Sequence, residues 1–161
     1  MVQYSDEMQT LAEIAISMAG FAGIITALQA RSFRESNVVF ARLRELLLTS
    51  IGVVFFAFVP TLLDGLLPGS SWALKGPQLI FAVYHVSLMY LFFSTAGFNE
   101  PSVWEWIAFP FAVTVVLLQF ATGLGFYADY LAEAYFLALL WLLLIAAQNF
   151  ISLLLRRRES G

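Results

Sequence analysis

Arg42-Leu43-Arg44-Glu45-Leu46-Leu47-Leu48-Thr49-Ser50-Ile51-Gly52-Val53-Val54-Phe55-Phe56-Ala57-Phe58-Val59-Pro60-Thr61-Leu62-Leu63-Asp64 decides the fold. Between Glu45 and Asp64 no residue is charged. A bilayer's hydrocarbon core is about 30 Å thick, and a helix rising about 1.5 Å per residue crosses it in about 20 residues, with ~17 sufficing. Leu46–Leu63 is therefore read as a membrane span. Working outward, four more apolar stretches of similar length appear, at Leu11–Leu28, Leu79–Gly97, Trp106–Leu124 and Leu131–Leu155. The expectation is one transmembrane domain over residues 1–161: all-α, polytopic, a bundle of five transmembrane helices.

Composition agrees. Hydrophobic residues make up 61% of the chain and charged residues 12%, with mean hydropathy +0.84. Soluble domains carry about 25% charged residues, roughly twice as many. The net charge of −3 speaks against a nucleic-acid partner, which needs a basic surface. The chain has no cysteine, which excludes disulfides, thiolate metal sites and thiol catalysis. Met1 to Thr10 carries Asp6 and Glu7 but no lysine or arginine. A signal peptide opens with a basic segment, so the first stretch is expected to be a retained span.

The basic residues set the orientation. Arg31, Arg34, Arg42 and Arg44 lie between the first two spans, and Arg156, Arg157 and Arg158 follow the last; Lys75 is the eighth. With five spans both arginine groups fall on one side, which the positive-inside bias makes cytoplasmic. The N-terminus is then outside and the C-terminus inside. Asp6, Glu7, Glu13, Asp64, Asp129 and Glu133 all map to the outer side. Acids collect where arginine is excluded; clefts lined by one sign of charge also concentrate counter-ions.

Connections are read as short at Gly97–Ser102 and Gly125–Tyr130, with Ser102 a candidate helix cap. Ser36 and Asn37 are candidate caps of a helix that starts at the cytoplasmic surface and runs into the second span. Leu66 to Pro77 reads as a turn-rich outer loop with an interfacial Trp72. Trp104, Trp106, Tyr127 and Tyr130 sit at span ends, where aromatic belts occur. Gly123 and Gly125 read as the end of the fourth helix.

Several residues inside the spans are candidates for function. Ala15, Ala19, Gly23 and Ala27 recur every fourth residue of the first span, a small-residue pattern that lets helices approach closely. They are candidates for a packing surface, within the chain or between subunits. Glu13 stands one turn inside the same span, close enough to the outer interface to reach water as a capping or snorkelling group, and an ionisable group within a span is also a functional candidate by default. Several copies around an axis would make it a carboxylate ring of the kind cation channels use. Asp64 and Gln119 are the other candidates for an ion path. His85, the single histidine, is expected to be a buried imidazole bonded to a neighbouring helix, with a proton relay as its sharper role. Gln119, Thr114 and Thr122 form a polar series in the fourth span, with Gln148 and Asn149 in the fifth. Pro60 and Pro110 remove backbone donors and kink their helices.

The run Ala12-Glu13-Ile14-Ala15-Ile16-Ser17-Met18-Ala19-Gly20-Phe21-Ala22-Gly23-Ile24 resembles the opening helix of small, uncharacterised bacterial inner-membrane proteins. The resemblance implies a multi-pass protein of the cell inner membrane and carries no activity and no site residue.

No GxSxG or HExxH pattern and no second histidine supports an enzyme, and no cofactor or metal is expected. The functional expectation is a homo-oligomeric channel or pore in membrane lipid, cation-preferring if the acidic outer rim lines the path. The alternative is a non-conducting accessory or structural subunit that binds another membrane protein or lipid. A haem or redox subunit centred on His85 comes third.

Overall fold

The computed structural model describes residues 4–28, 37–96 and 103–156. It is all-α, with α1 Ser5–Leu28, α2 Asn37–Leu66, α3 Trp72–Ala96, α4 Val103–Gly123 and α5 Leu131–Arg156; a 3-10 turn at Ala128–Tyr130 leads into α5. Phe40–Leu66, Trp72–Ser94 and Ala128–Leu154 are long and apolar enough to cross a membrane, and Ile107–Gly123 is a shorter apolar helix. The Gly97–Ser102 connection, Ser36, and Arg31, Arg34, Arg157 and Arg158 lie outside the described residues, as do the side chains of Ala27, Trp104, Trp106 and Arg156.

Helix α1 starts two turns before the apolar stretch. Met8 is as buried as Ala12 and Ala15, so its inward stripe begins at Met8 and draws the helix back to Ser5. Asp6 and Glu7 in the first turn suit the positive end of the helix dipole. Helix α2 begins at Asn37, one of the two candidate caps.

The outer loop is shorter than expected. The sequence predicts a loop through Pro77, but α3 begins at Trp72, and both Gly76 and Pro77 lie inside it. Three hydrogen bonds nucleate the helix ahead of the proline: Ala73 N–H to Ser70 O at 3.1 Å, Lys75 N–H to Ser71 O at 3.1 Å, and Trp72 N–H to Ser70 Oγ at 3.3 Å. Pro77 so near the start withholds a single backbone bond.

The end of α4 follows the glycines. Phe126 N–H bonds Ala121 O at 2.9 Å and Gly125 N–H bonds Thr122 O at 3.1 Å, with Gly125 at φ +101°. This is a Schellman motif, which needs the left-handed conformation that glycine adopts freely.

Helices α2 and α5 form the centre. Helices α3 and α4 pack against them and each other, while α1 lies in the outer groove between α2 and α5. The main core joins Met8, Leu11, Ala12 and Ala15 of α1 to Val53, Phe56 and Ala57 of α2 and to Tyr135, Ala138, Leu139 and Leu142 of α5, with Phe81 and Val115 closing it from α3 and α4. A smaller core of Ala22, Leu43, Leu46 and Leu153 closes the other end. Small residues on α1 and α5 bring the backbones close, the way helices associate in lipid. Gly52 does the same for α2 and α3: a Cβ there would lie 2.5 Å from Tyr84 Cε1.

Candidate functional site

Apart from Ser5 and Glu7 in its first turn, the described polar side chains of α1 segregate. Met8, Leu11, Ala12, Ala15 and Ala22 are buried against α2 and α5, whereas Asp6, Gln9, Thr10, Glu13, Ser17 and Gly20 are exposed. At 100° per residue these six fall on one continuous face opposite the buried one. Glu13 is about 12 Å along the axis from Ser5, counting 1.5 Å per residue.

Hydrogen bonds organise this face. Gln9 Nε2 donates to Glu13 Oε1 at 3.1 Å, one helical turn apart. Ser17 Oγ donates to Glu13 O at 2.9 Å and Thr10 Oγ1 to Asp6 O at 3.0 Å. Both hydroxyl protons are thereby used, and the oxygens face outward as acceptors. With the Glu13 carboxylate they present a column of acceptors, chemistry that suits cations or water.

The small residues divide between two roles. A step of four residues advances 40° beyond a full turn, so a series of four such residues spirals around the helix. Ala15 is fully buried, Ala19 half-buried and Gly23 exposed. Gly20 and Gly23 have open space where a Cβ would stand, with nothing within 4 Å.

Gln119 is elsewhere. It is completely buried between α3 and α4, with Oε1 2.8 Å from His85 Nδ1. With Oε1 toward the ring the amide accepts and Nδ1 donates, and the Nε2 atoms of both side chains are buried with no hydrogen-bond partner among the described residues. His85 stacks on Phe81 at 4.6 Å, and Phe81 on Phe56 at 4.2 Å. One end of the same seam holds Gln78 Nε2 donating to Thr122 Oγ1 at 2.9 Å. His85 is thus a buried imidazole bonded to a neighbouring helix. Thr114 does not join the series: it is exposed and donates to Pro110 O at 2.9 Å. Asp64 is half-buried near the last turn of α2. Gln119 and Glu13 therefore do not share a surface, because α1 packs on α2 and α5 and Gln119 faces α3.

Asn149 accepts from Arg42 Nη1 at 3.2 Å, tying the start of α2 to the end of α5. Trp141 is half-buried against Phe111 at 4.6 Å. Among the described residues no group of three or more His, Cys, Asp or Glu could hold a metal ion.

Gln9, Ser17 and Gly20 were not singled out from the sequence, although their spacing from Glu13 at three- and four-residue steps was readable. What the sequence withheld is which face of α1 the rest of the chain covers. No protein-family model matches the chain, and neither does any curated protein or any solved structure.

Proposed function

We propose that the chain is a five-span protein of the bacterial inner membrane, N-terminus outside, that assembles with copies of itself into a cation-preferring channel lined by the outward face of α1. The observation that carries this reading is the exposed polar column of Asp6, Gln9, Glu13 and Ser17, continued by Gly20, on a helix whose opposite face is packed in the core. Glu13 stands near the outer end of its span, and its carboxylate with the polar groups beside it calls for water or another protein surface rather than acyl chains. Copies arranged around an axis with α1 innermost give each Glu13 an aqueous neighbour and leave the apolar outer faces of α2 and α3 to the acyl chains.

The test is the mass of the solubilised particle by native mass spectrometry, followed by bilayer recordings. A symmetric assembly of three or more chains that conducts, and whose cation preference falls in Glu13→Gln, is the expected result. A monomer that conducts nothing would instead mean that the α1 face docks on a different membrane protein, the accessory-subunit reading.

A further inference from the structure

A groove of about 410 Å³ opens on the outside of the bundle between α2 and α3, lined chiefly by Ile51, Gly52, Phe55, Ile80, Val83 and Tyr84. Its volume lies within the range of ligand pockets, about 300–1,000 Å³. Ile51, Phe55, Ile80 and Val83 are each more than half exposed, so nothing among the described residues fills it. Gly52 forms part of its wall.

The two hydroxyls at the groove are already committed. Tyr84 Oη donates to Leu48 O at 2.7 Å, and Ser87 Oγ donates to Val83 O at 2.8 Å. The rest of the lining is aliphatic and aromatic, so the occupant is apolar along the groove. Toward the start of α2 from the groove stands Arg44, half-buried. Arg44, Leu48, Ile51 and Phe55 recur at steps of four, three and four residues, placing Arg44 on the groove's own face of α2. It sits about 10 Å nearer the helix start than Ile51, at 1.5 Å per residue.

We infer that this groove holds one acyl chain of an anionic phospholipid whose phosphate is held at Arg44. An apolar slot with an arginine on the same face of α2, about 10 Å nearer the helix start, matches a lipid of the leaflet that contains the start of α2. That this leaflet is the cytoplasmic one rests on the orientation proposed above; the match of slot to charge does not. An arginine fixed beside the membrane surface favours anionic over zwitterionic head groups, and its planar guanidinium suits a phosphate.

The experiment is lipid competition read by native mass spectrometry. The full-length protein is equilibrated with equal phosphatidylglycerol and phosphatidylcholine bearing identical chains, and retained lipid is counted per chain. One retained lipid per chain, with phosphatidylglycerol about fivefold favoured, is expected. Arg44→Gln should retain a lipid without that preference, Arg44→Lys should restore most of it, and Val83→Trp, which fills the slot, should retain none. Equal retention of both lipids by the unmodified protein, or none, overturns the inference whether or not any variant folds. The absence of native cysteine allows a further arm. Disulfide cross-linking between copies through Ile51→Cys and Val83→Cys would show that a second copy covers the groove and would also overturn it. A channel that fails to conduct leaves this result unaffected.

Discussion

The hydroxyl of Tyr135 on α5 donates at 2.6 Å to the carbonyl oxygen of Phe56 on α2. That carbonyl is the one Pro60 leaves without its helical donor, because proline has no N–H to return four residues back. Tyr135 and Pro60 are both fully buried. The kink and the cross-helix bond are thus one arrangement: an acceptor orphaned by one helix is satisfied by another. Tyr135→Phe should lower stability by about 1 kcal/mol, within the range for interhelical bonds in membranes. In a Pro60→Ala background the restored N–H satisfies Phe56 O, so the same change should cost less. Steric-trap unfolding of the four proteins in bicelles reads this coupling, and additive effects would contradict it.

Gly52→Ala should be strongly destabilising. Its Cβ would lie 2.5 Å from Tyr84 Cε1 and 3.0 Å from Leu142 Cδ2, so α3 and α5 must both give way. Overpacking of this kind typically costs about 1–3 kcal/mol. It should also disturb the Tyr84 bond to Leu48 O. The same unfolding assay checks it, and a loss smaller than that of Tyr135→Phe would count against the close α2–α3 approach.

Gly20→Leu and Gly23→Leu should behave in the opposite manner. Both positions have open space around them within the chain, so the protomer should keep its fold and gain slightly in helix propensity, up to about 1 kcal/mol. If copies approach through this face, the assembly should weaken instead. The measurement is particle mass against detergent dilution. Unchanged assembly in both variants would move the subunit contact off α1.

Gln119 and Glu13 should separate stability from conduction. Gln119→Leu removes the acceptor for His85 Nδ1–H and should lower stability by about 1 kcal/mol while leaving ion preference intact. Glu13→Gln should leave stability nearly unchanged, since its partner is a surface glutamine one turn away, and should reduce the cation-to-anion permeability ratio. Reversal potentials under a salt gradient distinguish them. A shift produced by Gln119→Leu would return Gln119 to the conduction path.

The positions of the helices were legible because long charge-free runs permit little else. The starts of α2 and α5 follow Asn37 and Leu131 closely, and the end of α4 follows Gly125. Two boundaries were not. Pro77 reads as a stop in any linear scan, and only the preceding turn at Ser70 and Ser71 tells that the helix is already under way. Met8 is one apolar residue among polar ones, and its burial depends on α5 lying beside it. The candidate site divided in the same manner. Glu13 stands out by charge alone, whereas Gln119 has the same polar signature whether it meets water or His85. Helix adjacency decides between those, and adjacency is tertiary. The small-residue series misleads for a geometric reason, since four-residue spacing drifts around a helix of 3.6 residues per turn. Ala15 and Gly23 accordingly face different surroundings.

The most direct test of the central claim is cysteine accessibility along α1, which the cysteine-free sequence makes clean. Single cysteines at Gln9, Glu13, Ser17 and Gly20, and control cysteines at Ile14 and Phe21, are exposed to a membrane-impermeant thiol reagent in reconstituted vesicles while current is recorded. Rapid modification at the first four, with a matching fall in current, and slow modification at the two controls is the expected result. Protection of Ser17→Cys and Gly20→Cys from the aqueous reagent, with ready labelling by a lipid-soluble maleimide, would place that face against acyl chains and contradict the channel.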